Sequence, residues 1–210
     1  MTQRQTSRSR VLRRAGVALA AALAVSTVAS AASAASKPSA SKYGGDVKVA
    51  IFDTLPGFCF ANNPANSSLM VHRTFYEALF EKTIGGDFVG LLAESATPSA
   101  DLKTWTVKLR EGITFHDGSK LTADDVVWTF KSHLTASNKS QSIGKFNGIL
   151  DINGVEKVDQ NTVKFTLLSA VGTFPSLLSS TSYGLLIMKN GESGAAGWEN
   201  TMNGCGPWIL

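Results

Sequence analysis

WTVKLREGITFHDGSKLTADDVVWTF, Trp105 to Phe130, holds a strand, a tight turn and the start of a helix in one run. Trp105, Val107 and Leu109 fall on one side of an extended chain while Thr106, Lys108 and Arg110 fall on the other. That period of two predicts a strand with one dry face. Gly112 interrupts it, and Ile113 and Phe115 resume the dry face. Asp117-Gly118 predicts a tight turn, because Gly tolerates positive φ and Asp bonds its own backbone. Thr122 is placed to cap the following helix, with Asp125 three residues on as a short-armed capping box. Asp124 and Asp125 complement the positive end of the helix dipole. Ala123, Val127, Phe130 and Leu134 form the expected buried stripe.

Every conspicuous polar residue of this stretch therefore has a structural task. Asp124 and Asp125 do not make an acid/base pair, since adjacent residues on a helix do not face one another. His116 beside Asp117 reads as part of the turn, because no nucleophile lies within sequence reach. The stretch is a positioning module.

The first 34 residues carry a different message. Arg4, Arg8, Arg10, Arg13 and Arg14 form a basic head, Gly16 to Ala29 is an uncharged Ala/Val/Leu run, and Ala29-Ser30-Ala31 and Ala32-Ser33-Ala34 are small-residue cleavage sites. This is the pattern of a secretory signal peptide, and the run is shorter than the roughly 18 apolar residues of a spanning helix. Arg13-Arg14 leaves a twin-arginine exporter open beside the general route. No Cys lies near the cleavage sites, so a lipid anchor on a new N-terminal Cys is not expected. The formal charge of +4 loses five leader arginines and becomes −1, so the basicity argues for no nucleic-acid partner. What remains is one domain's worth of chain, able to bury a core. Two cysteines, Cys59 and Cys205, are too few for a disulfide scaffold or a zinc site.

Residues 35–45 (ASKPSASKYGG) read as a flexible tether. Val47, Val49 and Ile51 alternate with Lys48 and Ala50, predicting a strand. The segment from Phe58 to Ser68, FCFANNPANSS, has no period and reads as a loop. With Ser67 or Ser68 as N-cap, LMVHRTFYEALF predicts a helix of about three turns ending near Phe80; its His72 is given no role. After a polar loop at 135–148, Val155 to Val158 and Val163, Phe165 and Leu167 flank Asp159-Gln160-Asn161 as a hairpin. Pro175 sits in the first turn of a short helix, Tyr183 to Met188 reads as a brief apolar strand, and 191–200 as a loop. Repeats, phosphate-binding Gly loops and G-x-S-x-G elbows are absent from the sequence.

TFYEALF (Thr74 to Phe80), the run from Leu91 to Phe130, the hairpin VEKVDQNTVKFTL and GCGPW (Gly204 to Trp208) together resemble the dipeptide- and oligopeptide-type extracytoplasmic solute-binding proteins, family 5, of ATP-binding cassette importers. The signature K-L-R-x-G-x-x-F-H-D-G followed by T-A-x-D-V stands intact from Lys108 to Val126, and the likeness runs from about Asp46 to the last residue. Cys205 replaces the Thr of the family's G-T-G-P segment.

The resemblance implies a mixed α/β fold of the type II periplasmic-binding-protein kind. It assigns 46–76 to the first segment of lobe one, 77–202 to an inserted small domain and 203–210 to the start of the return into lobe one. The rest of lobe one and the second lobe are then expected to be missing. It further implies a monomeric, exported receptor without catalysis or cofactor, at the periplasm or outer face of the envelope, which hands a short peptide to membrane permease subunits. Pro64, Ala65 and Asn66 would lie along the peptide backbone; on residue pattern alone, an ordinary Asn-Pro loop remains open. Other cargo, such as a nickel chelate, an oligosaccharide or an opine, remains open, as do a secreted hydrolase and a fragment without function. The resemblance also places Cys59 and Cys205 in segments of lobe one, where an oxidising compartment would allow a bridge between them; two buried free thiols remain open beside it.

Overall fold

The computed structural model describes residues 44–51, 66–138, 140–180, 185–192 and 202–209. The chain divides into two units, Met1–Val49 and Ala50–Leu210, of which the first is described only over 44–49. The strand expected at Val47, Val49 and Ile51 is not formed. The stretch has no secondary structure, and Val47 and Val49 are exposed. Alternation offers a strand one dry face, but only a paired backbone makes it a strand.

The second unit is built around a four-stranded antiparallel sheet ordered β3-β4-β6-β5: Ala93–Pro98, Thr104–Leu109, Thr162–Thr166 and Val155–Asp159. β4 alternates as expected, with Trp105, Val107 and Leu109 buried. Val163 and Phe165 of β6 pair directly with Val107 and Trp105, which puts four apolar side chains on one face. The β5–β6 hairpin turns where expected, the Asp159 carboxylate accepting from the Asn161 amide at 2.8 Å. α2, Ala123–Leu134, covers the dry face. Phe130 packs edge-on against Phe165 (4.9 Å between centroids) and Phe146 (5.9 Å). Phe174, at the start of α3 (Phe174–Leu177), closes the end of the core against Phe165 and Trp105. Such pairs contribute about 0.5–1.5 kcal/mol each beyond their buried area. The wet face carries the solvated ion pairs Lys108–Glu94 and Lys164–Glu156.

The buried stripe of α2 is wider than expected. Ala123 and Phe130 are buried and Val127 and Leu134 are half-buried against the same core, while Val126, Thr129 and His133 are buried beside them. The polar members can turn inward because they are paired: the Thr129 hydroxyl accepts from the Met188 amide at 3.0 Å, and the Asp125 carboxylate accepts from the Asn190 amide at 2.9 Å. The predicted loop at 135–148 contains two 3-10 turns, Ala136–Asn138 and Gln141–Lys145.

α1 spans Asn66–Phe75, so Ser67 and Ser68 lie inside it and the expected extension to Phe80 does not occur. Its backbone beyond Phe75 is claimed by distant segments. The carbonyl of Phe75 accepts from Gly206, that of Glu77 from Ile187, and that of Leu79 from Leu91 and Ala93. Residues 80–82 then form β1 (Phe80–Lys82), paired with β2 (Phe88–Gly90). The helical periodicity of the segment is real, but these acceptors are available only to an extended chain. Leu185 to Met188 is buried as expected of the apolar run, yet makes only the isolated bridge Leu186–Ala78 rather than a strand; residues 181–184 and 193–200 lie outside the described set.

Candidate functional site

Of the three residues expected along a ligand, Pro64 and Ala65 lie outside the described residues, and Asn66 is the first residue of α1, described by its backbone alone. The structure does show what holds α1. Four passages meet at its C-terminal end: the end of the helix itself, the His116–Asp117 turn, residues 185–190 and residues 202–208.

The turn forms as its residues require. Gly118 takes φ +83°, and the Asp117 carboxylate accepts from the amide and hydroxyl of Ser119 at 2.9 and 2.6 Å. Behind it, the Asp125 carboxylate accepts from the amide and hydroxyl of Thr122 at 2.7 and 2.8 Å, capping α2.

The turn then docks on a segment about ninety residues away. The His116 amide donates to the Gly204 carbonyl at 2.9 Å. Its ring Nδ1 lies 3.1 Å from the Met202 carbonyl oxygen and its Nε2 lies 2.9 Å from that of Gly206. Asp117 receives the Asn203 side-chain amide at 3.0 Å and the Lys189 ammonium at 2.5 Å, and its own amide donates to Asn203 Oδ1 at 3.1 Å. Lys189, above all, holds the Asp117 carboxyl well below the usual carboxylate range.

On its other side the 202–208 segment lies against α1. The Gly206 and Trp208 amides donate to the carbonyls of Phe75 and Thr74 at 2.8 and 3.1 Å. A Cβ at Gly204 would sit 1.8 Å from the Phe75 oxygen, and one at Gly206 would sit 2.6 Å from its carbonyl carbon. The two glycines of GCGPW are thus demanded by backbone approach. Arg73 Nη2 reaches both oxygens of Glu81 at 2.8 Å, tying the last turn of α1 to β1, and Ser180 hydrogen-bonds the same carboxylate.

The junction is desolvated. Burial raises the carboxyls of Glu77 and Glu192, and pushes the Cys205 thiol up to about 12, with the charge of Glu77 adding to it. Cys205 carries a free thiol in this structure, and Cys59, the other member of the possible bridge, lies outside the described residues. Sequence reading treated His116 and Asp117 as a turn and missed their hold on Met202, Asn203, Gly204 and Gly206. The only signal was the co-occurrence of HDG with GCGPW, which names no contact.

Open clefts lie among the described residues. One, of about 400 Å³, runs between β1–β2, β3 and the loop at Thr173. Another, of about 360 Å³, lies on the outer side of α2 beside Trp128, Lys131 and Asn190. Among the described residues no group of three or more His, Cys, Asp or Glu gathers to hold a metal, and no helix is long and apolar enough to cross a membrane.

This layout, an antiparallel sheet under one helix with residues 202–208 tied to the turn, is that of one part of a type II periplasmic binding protein. The chain belongs to the bacterial extracellular solute-binding proteins, family 5, whose middle-region sequence model matches residues 87–210. It is 36% identical over 140 residues to the glutathione-binding protein GsiB of Escherichia coli (strain K12), covering 64% of this chain and 26% of that protein. The chain thus spans about a quarter of the length of that relative. Among solved structures it superposes on the binding protein MoaA from A. tumefaciens R10, in complex with mannopinic acid, with TM-score 0.65 and 27% identity over 73% of this chain and 32% of MoaA. It also shares the fold of Listeria monocytogenes OppA bound to peptide (TM-score 0.58, 21% identity, 65% of this chain and 29% of OppA).

Proposed function

We propose that this chain is part of the substrate-binding component of an ABC importer, capturing short peptides outside the cytoplasm by non-covalent enclosure between lobes. The observation that carries this reading is the four-way junction at Phe75. It clamps the end of α1 through Gly206, Trp208 and Glu81, and so gives a fixed base to the segment at Pro64, Ala65 and Asn66, which would pair with the ligand backbone in the manner of strand addition. Affinity then comes from buried surface and backbone pairing, with no nucleophile or cofactor.

In this reading residues 1–34 are a removable export signal, 35–45 a tether, 46–76 the opening of lobe one, 77–202 an inserted small domain and 203–210 the return into lobe one. The protein acts as a monomer and meets permease subunits at the membrane. A second reading keeps the fold and changes the cargo. It is supported by the relatives themselves, one a glutathione-binding protein and one complexed with mannopinic acid.

Calorimetric titration of the exported protein with a di- to pentapeptide library, with glutathione and with mannopinic acid in separate arms, tests both. Saturable heat from peptides, weakened by replacing Asn66 with Pro, supports the first reading. Heat only from glutathione or mannopinic acid selects the second. Hydrolysis of the peptides during titration would overturn both.

A further inference from the structure

Both ring nitrogens of His116 face backbone carbonyl oxygens, Met202 at 3.1 Å and Gly206 at 2.9 Å. A carbonyl oxygen only accepts, so each contact needs an N–H on the ring. A neutral imidazole has one N–H and one lone pair. In either tautomer the lone pair would point at a carbonyl oxygen at hydrogen-bonding distance, a repulsive contact. Only the imidazolium satisfies both.

We infer that His116 works as a doubly protonated staple, fastening residues 202–206 to the turn that starts the α2 module. The staple acts on the one stretch that also feeds α1, because Gly206 accepts from the His116 ring through its carbonyl and donates to Phe75 through its amide. Loss of one proton from the ring breaks one of the two carbonyl contacts and loosens the clamp on Phe75.

The segments packed there carry further titratable groups. Asp117 of the same turn and Asp125 at the start of α2 are carboxylates, and Lys189 is paired with Asp117. Glu77 and Glu192 are desolvated carboxyls, and the Cys205 thiol is held neutral by burial. The phenol of Tyr76 is likewise raised by burial. The cations of these segments are paired, Lys189 with Asp117 and Arg73 of α1 with Glu81. Hydrogen-bond strength then depends on pH with a definite sign: two charge-assisted bonds while the ring holds both protons, one after it loses the second. The clamp weakens as pH rises.

The test is long-range ¹H–¹⁵N correlation on the chain with ¹⁵N-labelled histidine, across the range in which imidazoles titrate, about pH 5 to 8, together with hydrogen exchange at the Gly206 amide. The expected result is a doubly protonated His116 at the acid end. On raising the pH, protection of the Gly206 amide, corrected for intrinsic exchange, should fall about tenfold, the loss of one charge-assisted bond. In His116→Gln that protection should be lower and flat with pH. A single-proton tautomer of His116 throughout, or an equal pH dependence in His116→Gln, would overturn the inference. If the variant does not fold, the wild-type ring spectrum decides alone, since the chain has only three histidines.

Discussion

Gly206 and Phe75 are joined backbone to backbone: the amide of one donates to the carbonyl of the other at 2.8 Å, across a gap that no Cβ could enter. The neighbouring Gly204 is closer still. Gly204→Ala is expected to destabilise the fold by roughly 1–3 kcal/mol, because its methyl would meet backbone that cannot swing aside. Gly144→Ala, which meets nothing within 4 Å and has no positive φ, serves as control and should stay within about 0.5 kcal/mol. Urea unfolding of the three chains measures both, and equal midpoints would remove the close approach from the account.

Gly118 is a different case. Its φ is +83° and an added Cβ would meet nothing within 4 Å, so the penalty is backbone strain without a clash. Gly118→Val should cost about 1–2 kcal/mol, and Gly118→Asn less, since Asn tolerates the left-handed region. Thermal melts should rank wild type above Asn above Val; a Val variant melting with the wild type would mean another turn geometry.

Asp125 and Asp124 are adjacent and unequal. The first is itself buried and accepts from the Thr122 amide, the Thr122 hydroxyl and the Asn190 amide. Asp125→Ala should therefore cost about 2–3 kcal/mol through a lost cap and stranded donors. Asp124 makes an exposed pair with Lys157, and Asp124→Ala should cost roughly 0–1 kcal/mol. Calorimetric melts distinguish them, and a larger loss at Asp124 would contradict the capping assignment.

His133 provides acid sensitivity. Burial lowers its pKa from 6.5 to about 4, with the charge of Lys145 adding, and its Nδ1 meets the Ser140 hydroxyl at 2.6 Å. The unfolded chain therefore takes up this proton first. The contribution of His133 is full above the ordinary histidine range and is lost as pH falls from there toward about 4, at up to ~1.4 kcal/mol per pH unit. His133→Leu should flatten that acid limb in a stability-versus-pH series, and an unchanged slope would show that the ring is already charged in the fold.

The sequence by itself determined the pieces whose causes lie within a dozen residues. β4 follows from alternation of Trp105, Val107 and Leu109, the turn from Asp117 and Gly118, the start of α2 from Thr122 and Asp125, and the β5–β6 hairpin from Asp159 to Asn161. Each is fixed by sterics and by hydrogen bonds a few positions apart, and each is also what made the family recognisable. Tertiary structure alone decided where those pieces touch. α1 stops at Phe75 because Gly206, Ile187 and Leu91 claim the carbonyls that follow. Thr129 and His133 join Val127 and Leu134 on the inner side, where the Thr129 hydroxyl meets the Met188 amide and His133 Nδ1 meets the Ser140 hydroxyl. His116 changes from a turn residue into a staple through carbonyls 86 and 90 positions away. Local propensity can specify a turn; it carries no term for a partner that only the folded chain brings within 3 Å.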